Sequence, residues 1–233
     1  MRKFLAFIVI FLLVMVVVAD RGLHSAAQNE IAKRVSQRYQ LSSEPEVTIG
    51  GFPFLTQAIG GEYSEIHIVT GAMTVNDVSL DRVDVTARDV QAAIGDLMTE
   101  PKVIAKTADA TVMLPYSELQ SRLPQGIVIE NKDGKPRMTG DLAVPGGISV
   151  PVAADLDVSI DGDVIKVTPS SIEVSDAPPI QLGSAVEDRL TVSFQVPQMP
   201  FDLQITKIDA LPNGVEVSAE ATNVRLVGAA SEG

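Results

Sequence analysis

The stretch ISVPVAADLDVSI, residues 148–160, alternates along its whole length. Ile148, Val150, Val152, Ala154, Leu156, Val158 and Ile160 take the even places, and Ser149, Pro151, Asp155, Asp157 and Ser159 take odd ones. Successive side chains of a strand point to opposite faces, so this pattern predicts one long strand with a wholly apolar face and a mostly polar one. At ~3.3 Å per residue such a strand spans roughly 40 Å, where ~17–20 Å is usual. Pro151 has no N–H to give to a ladder, which predicts an edge or a bulge at that point.

Turn chemistry extends the reading in both directions. Asp161-Gly162 turns the chain back into Val164–Thr168, and Asp133-Gly134 joins Ile127–Glu130 to Met138–Val144, both as hairpins. Near the end, Val215, Val217, Ala219 and Ala221 resume the alternation after the turn Pro212-Asn213-Gly214. Earlier in the chain Ile66, Ile68, Met73, Val75, Leu80, Val83 and Val85 are spaced as strand residues among polar ones. Two short helices are expected among the strands. In LPYSELQSRLP, Pro115 suits a first helical position, Tyr116, Leu119 and Leu123 share a face, and Pro124 ends the run; a second helix is expected at Leu182–Arg189. No low-complexity linker divides the chain, so the expected organisation is one continuous β-rich α+β domain over residues 21–228 with a frayed tail at 229–233.

The N-terminus has a different character. Arg2 and Lys3 precede an unbroken apolar run from Phe4 to Ala19, the layout of an export signal. As a helix the run would be about 24 Å long, short of the ~30 Å hydrocarbon core yet longer than a usual cleavable segment. Val17 and Ala19 are small residues correctly spaced for cleavage before Asp20, so residues 1–20 are read as either a signal peptide or a signal anchor. In both cases the basic residues keep the N-terminus inside and the remainder is exported, with residues 4–19 as the candidate membrane anchor. Leu23, Ala27, Ile31, Val35 and Tyr39 then recur every four residues, which predicts an amphipathic helix from Asp20 to about Gln40.

Composition removes several functions. Acidic residues outnumber basic ones 30 to 18, for a formal charge of -12, so the clustered Lys and Arg that nucleic acid requires are missing. Cysteine is absent, which excludes disulfides, thiolate catalysis and cysteine-ligated metals. The two histidines, His24 and His67, have no catalytic partner visible in sequence, and His67 sits among the strand residues Ile66 and Ile68. Asp155, Asp157, Asp161, Gly162 and Asp163 superficially resemble a calcium loop, but strand alternation and a hairpin turn already account for them. No phosphate-binding glycine loop or dinucleotide fingerprint is present. The residues thus describe an exported β-rich protein with no evident catalytic site, metal or cofactor.

A second stretch, GGFPFLTQAIGGEY at residues 50–63, gathers Phe52, Phe54, Leu55 and Ile59 between two glycine pairs. With its flanks, PEVTIGGFPFLTQAIGGEYSEIHI at 45–68, it resembles the LmeA-like family of actinobacterial envelope proteins, named for lipomannan elongation factor A. LPYSELQSRL in mid-chain and MPFDLQITKIDALPNGVEVSAEATNVRL at 199–226 follow in the order expected of that family. The resemblance implies a non-catalytic, phospholipid-binding protein of the periplasm or cell envelope, with phospholipid and membrane as partners and a part in lipid handling or in maturing mannan-bearing glycolipids. It also implies a fold similar to the tubular lipid-binding (TULIP, BPI-like) superfamily: a long curved antiparallel sheet wrapped around an N-terminal helix, leaving an apolar channel. On this reading Val150, Val152, Leu156 and Val158 face lipid chains. Phe52, Phe54, Leu55 and Ile59, with Met199 and Phe201 of the C-terminal Pro-Phe segment, are apolar lipid contacts at the mouth or seam of the tube. Two other readings stay open, a structural envelope β-domain without a ligand and an enzyme acting on a glycolipid.

Overall fold

Two-residue turns between long alternating segments dictate antiparallel pairing. In the computed structural model every described strand pair is antiparallel. The structure describes residues 2–75, 78–92, 102–121, 123, 125–132, 135–144, 148–161, 164–174, 190–195 and 203–227. The chain runs α1 (Arg2–Tyr39), β1 (Glu46–Ile49), α2 (Phe54–Gly60), β2 (Glu62–Thr70), β3 (Met73–Val75), β4 (Val78–Leu80), β5 (Arg82–Gln91), β6 (Lys102–Pro115) and α3 (Tyr116–Gln120). It continues through β7 (Ile127–Lys132), β8 (Lys135–Val144), β9 (Ile148–Asp161), β10 (Val164–Val174), β11 (Val192–Gln195), β12 (Gln204–Leu211) and β13 (Gly214–Val227). Six strands form one sheet in the order β1-β2-β5-β6-β13-β12, five form a second in the order β11-β10-β9-β8-β7, and β3 and β4 make a separate hairpin.

The stretch that opened the sequence reading is β9, and its alternation is that of the sequence. Val150, Val152, Ala154 and Leu156 are buried, whereas Ser149, Pro151, Asp157 and Ser159 are exposed. The edge expected at Pro151 is only local. β9 lies between β8 and β10, and Pro151 pairs with Asp141 of β8. On the other flank the β10 register ends at Val174 opposite Val152, so the proline falls where no donor is needed on that side. The register shift of this sheet lies instead in β10, between Ser170 and Glu173.

In the six-stranded sheet the apolar face changes parity at a single row. Lys106 of β6 stands opposite Asp89 of β5 and Asn223 of β13, and those two residues have φ of 49° and 54°. On one side of this row the buried residues are Ala108 and Ala221; on the other they are Val90, Ala105 and Val224, three positions along on β6 and β13 where strict alternation would give two or four. A left-handed step of this kind turns the strand and re-aims its side chains, as a bulge does. Asp and Asn are the side chains that tolerate it. The outer face is laced with ion pairs: Arg88 with Glu65 and Asp109, Lys106 with Asp89, and Arg82 with Asp84.

One apolar cluster joins the two sheets. Ile127, Met138, Val152, Leu156 and Val167 come from the five-stranded sheet, Val215 from β13, Leu119 from α3, and Leu190 completes it. The helix α3 is shorter than expected, with Pro115 at its N-cap, but Tyr116, Leu119 and Leu123 do share the cluster. The helix expected at Leu182–Arg189 and the tail at 229–233 lie outside the described residues. Gly214 closes the β12–β13 turn against β6, where a Cβ would stand 2.3 Å from the Leu114 carbonyl oxygen. No larger residue fits there without moving backbone.

The helix α1 is a single 38-residue element, the export segment and the amphipathic helix fused. Among the described residues its principal partners are β1 and α2, so it packs along the β1 edge of the six-stranded sheet and the sheet does not enclose it. Ala27, Ile31 and Val35 are half-buried and Ala32 is buried, while Leu23 and Tyr39 at the ends of the expected stripe are exposed.

Tyr116 tests the junction of the sheets. Its hydroxyl donates to the Leu211 carbonyl at 2.6 Å, and burial pushes its pKa from 10.0 up to about 12. The unfolded chain releases this proton before the folded one, so this contribution to stability is complete below pH 10 and falls as the pH rises from 10 to 12. Tyr116→Phe is expected to cost about 0.5–1.5 kcal/mol at neutral pH and to make the alkaline decline shallower, as read by urea denaturation across that range.

Candidate functional site

Proline at a helix N-cap offers no side chain to the free N–H groups of the first turn. Pro53 occupies that place in α2, and no side chain of its own caps the helix. Asp20, the first residue after the apolar run, supplies the missing acceptor from α1: its Oδ1 receives the Leu55 N–H at 2.7 Å. The residue is 1% exposed, and its Oδ2 is buried without a hydrogen-bond partner among the described residues. A carboxylate at a helix N-terminus is favoured by the local dipole, which helps offset the burial of a charge.

Further contacts fix α2 to α1. His24, one turn after Asp20, donates from Nε2 to the Ile49 carbonyl at 2.8 Å, and its ring lies 5.4 Å from that of Phe54. Phe54 in turn meets Tyr63 of β2 at 6.2 Å. The Arg21 guanidinium sits 4.8 Å over the Phe52 ring. Gln57 ties the loop from the far side, donating to the Gly50 carbonyl at 3.1 Å and accepting the Ser64 N–H at 2.9 Å. Gly51 suits this turn because its φ of 91° is a conformation that residues with a Cβ rarely adopt, and a Cβ would also push on the Gln57 amide.

These contacts divide the four apolar residues of the GGFPFL stretch. Phe54 is 7% exposed and is part of the packing between α1, α2 and β2. Phe52 is 58% and Ile59 81% exposed, and Leu55 is half-buried. Below them the apolar run from Phe4 to Val18 is exposed throughout, in a helix whose mean hydropathy reaches 2.7 over a membrane-length window. That composition is compatible with a signal peptide or a membrane anchor. Met199 and Phe201 lie outside the described residues.

The second group of expected contacts forms an interior. Val150, Val152 and Leu156 are buried, and Val158 is partly buried against the cluster between the sheets. Across the six-stranded sheet, Tyr63, Val90, Ala105 and Val224 stand in one register row and Ile66, Ala87, Ala108 and Ala221 in another. The inner surface at that end is therefore floored mainly by alanine and valine, and Tyr63 connects it to Phe54.

Polar groups elsewhere have structural partners. His67 pairs through Nε2 with Asp84 Oδ1 at 2.7 Å on the outer face, beside Arg82. Asp155 accepts from Arg137 at 3.3 Å, and Asp163 of the acidic stretch lies outside the described residues. Among the described residues no group of three or more His, Cys, Asp or Glu is placed to hold a metal ion. The roles of Asp20 and Arg21 escaped the sequence reading, which took them as the boundary between the export segment and the amphipathic helix. The signal for Asp20 was a helix that began on a proline and so lacked a capping side chain of its own.

A family model described as LmeA-like phospholipid-binding matches residues 18–220, from the last turn of the apolar run to the middle of β13. No curated protein and no solved structure matches.

The division of the GGFPFL stretch is measurable. Phe54→Ala should cost about 3–5 kcal/mol, the range for deleting a buried ring, and Asp20→Ala about 1–2 kcal/mol through loss of the α2 cap. Phe52→Ala and Ile59→Ala should stay within about 0.5 kcal/mol of the parent, as exposed positions do. Chemical denaturation of the four variants checks the ranking.

Proposed function

The chain belongs to the LmeA-like phospholipid-binding family, and on that premise we propose that it is a non-catalytic phospholipid carrier of the cell envelope, exported as one lipid-binding domain over residues 21–228. The observation that carries this reading is the family match, which spans both sheets and the α1–α2 junction. The apolar interior supports it. Val150, Val152, Leu156 and Val158 on β9 and the alanine-floored rows of the other sheet present two inner surfaces made of aliphatic side chains. On this reading acyl chains lie between them, in the manner of a tubular lipid-binding channel. Alanine leaves space that a larger side chain would fill. Phe52, Leu55 and Ile59, together with Met199 and Phe201, are assigned to the mouth, while Phe54 supports them from beneath.

Carriage needs no transition-state stabilisation, and the polar groups fit that role. His24 serves the backbone of β1, and His67 is an outer-face ion-pair residue. On this reading the N-terminal helix is a retained anchor, supported by an apolar run long enough to enter a membrane; cleavage before Asp20 would leave the bond from Asp20 to α2 in place. Support for lipomannan maturation as the pathway comes from the family resemblance alone.

Protein purified without detergent after release from the membrane should yield phospholipid on organic extraction. A diazirine-bearing phospholipid should crosslink to peptides covering 148–160 and 103–110. A lipid-free preparation that also fails to take up fluorescent phospholipid would favour a structural envelope domain, whose packed cluster around Val152 and Leu156 would then be an ordinary core. His67→Ala and Asp84→Asn should leave uptake within a few-fold, whereas a loss of ~10²–10⁴-fold is the size expected of a general acid or base and would point to an enzyme. Intact mass of the membrane-bound protein should include residues 1–19; a mature chain beginning at Asp20 would show the segment to be a cleaved signal.

A further inference from the structure

The position of α2 relative to the apolar run of α1 carries a consequence for the membrane. The run ends at Ala19, and the next residue, Asp20, is hydrogen-bonded to the first turn of α2. If residues 4–19 lie in hydrocarbon, α2 is held within about one helical turn, ~5 Å, of the point where α1 leaves it. That is the depth of the headgroup region, where amphipathic segments rest about 5–10 Å into the boundary. The large side chains exposed at that level are apolar: Ile59 of α2 at 81% and Phe52, just before the Pro53 cap, at 58%, with the small polar Thr56 exposed between them. Arg21, over the Phe52 ring, places a cation at the height of lipid phosphates.

We propose that α2 and the turn leading into it form a membrane foot, in which Phe52 and Ile59 are immersed in the headgroup–acyl boundary of the bilayer that α1 enters, with Arg21 among the phosphates. The occupant of this apolar surface is thus the lipid bilayer itself. The proposal deepens the lipid-carrier reading and rests on its assignment of α1 as an anchor. It also sets the orientation of the domain. From Asp20 to Tyr39 the helix rises about 29 Å, so the far end of α1, where Tyr39, Met73 and Val75 line one cleft, stands well clear of the bilayer. Exposed apolar side chains at the two ends, Ile59 and Val75, therefore face different media.

The absence of cysteine makes the test direct. Full-length chain carrying Phe52→Cys, Ile59→Cys or Val75→Cys, each labelled with the environment-sensitive fluorophore NBD, is reconstituted in vesicles of phosphatidylethanolamine and phosphatidylglycerol. Labels at 52 and 59 should emit at shorter wavelength than the label at 75 and be quenched several-fold more by doxyl-lipids. Labels at 52 and 59 as water-exposed as that at 75 overturn the proposal, and so do three equally quenched labels, which would mean the domain lies flat. Phospholipid extracted from the detergent-free protein is measured in parallel. Lipid present with water-exposed labels at 52 and 59 removes only the foot, whereas labels at 52 and 59 in an apolar environment in a protein that neither holds nor takes up lipid remove the carrier reading and leave the foot standing.

Discussion

The six-stranded sheet depends on two residues, Asp89 and Asn223, adopting a left-handed backbone in the same row. A strand that kept strict alternation through that row would turn Val90, Ala105 and Val224 to water while Ala108 and Ala221 stayed inside. With Val90 and Val224 on opposite flanks of Ala105, both neighbours of β6 must take the step together. A left-handed residue with a Cβ costs roughly 1–2 kcal/mol, less for Asp and Asn, whose side chains bond locally. Burying Val90 and Val224 returns about 1.5–3 kcal/mol each, so the step is favourable. Val90, Ala105 and Val224 thereby join Ala108 and Ala221 in one apolar cluster with Tyr63, and Tyr63 is the residue on which Phe54 leans.

From Phe54 the chain of dependence passes to α1. A seven-residue helix beginning on proline has little stability of its own, since isolated short helices do not pay their nucleation cost. Its conformation is held by Asp20 at the first turn, by Phe54 against His24 and Tyr63, and by Gln57 across the loop. Two of these contacts come from α1. The part of the fold that carries the exposed Phe52 and Ile59 is therefore built on the same helix that carries the apolar run. Coupling of this kind fixes the height of the exposed side chains relative to the run, with β1 and β2 as the only strands in these contacts.

What could be read from the sequence follows the same physics. β9 was legible because one face is apolar at every second place from 148 to 160, and the β7–β8, β9–β10 and β12–β13 hairpins because Asp-Gly or Asn-Gly marks their turns. β6, the centre of the larger sheet, was not. In KVIAKTADATVMLP the inward residues are Ala108, Ala110, Val112 and Leu114 on one parity and Val103 and Ala105 on the other, so alternation is lost at Lys106. The place of α1 was also hidden, since a four-residue stripe shows that a helix packs on something but not whether a sheet encloses it or offers an edge.

The GGFPFL stretch shows the limit most sharply. Four apolar side chains within eight residues announce burial or a binding surface, and the sequence offers no means of dividing them. The division is made by a residue more than thirty positions away. Asp20 sets where α2 begins, and the helical period then places Phe54 toward His24 and leaves Ile59, five residues on, facing out. With the cap from α1 acting beside the Phe54 and Gln57 contacts, the rotation of α2 is fixed, and Ile59 is left exposed near the point where the apolar run ends.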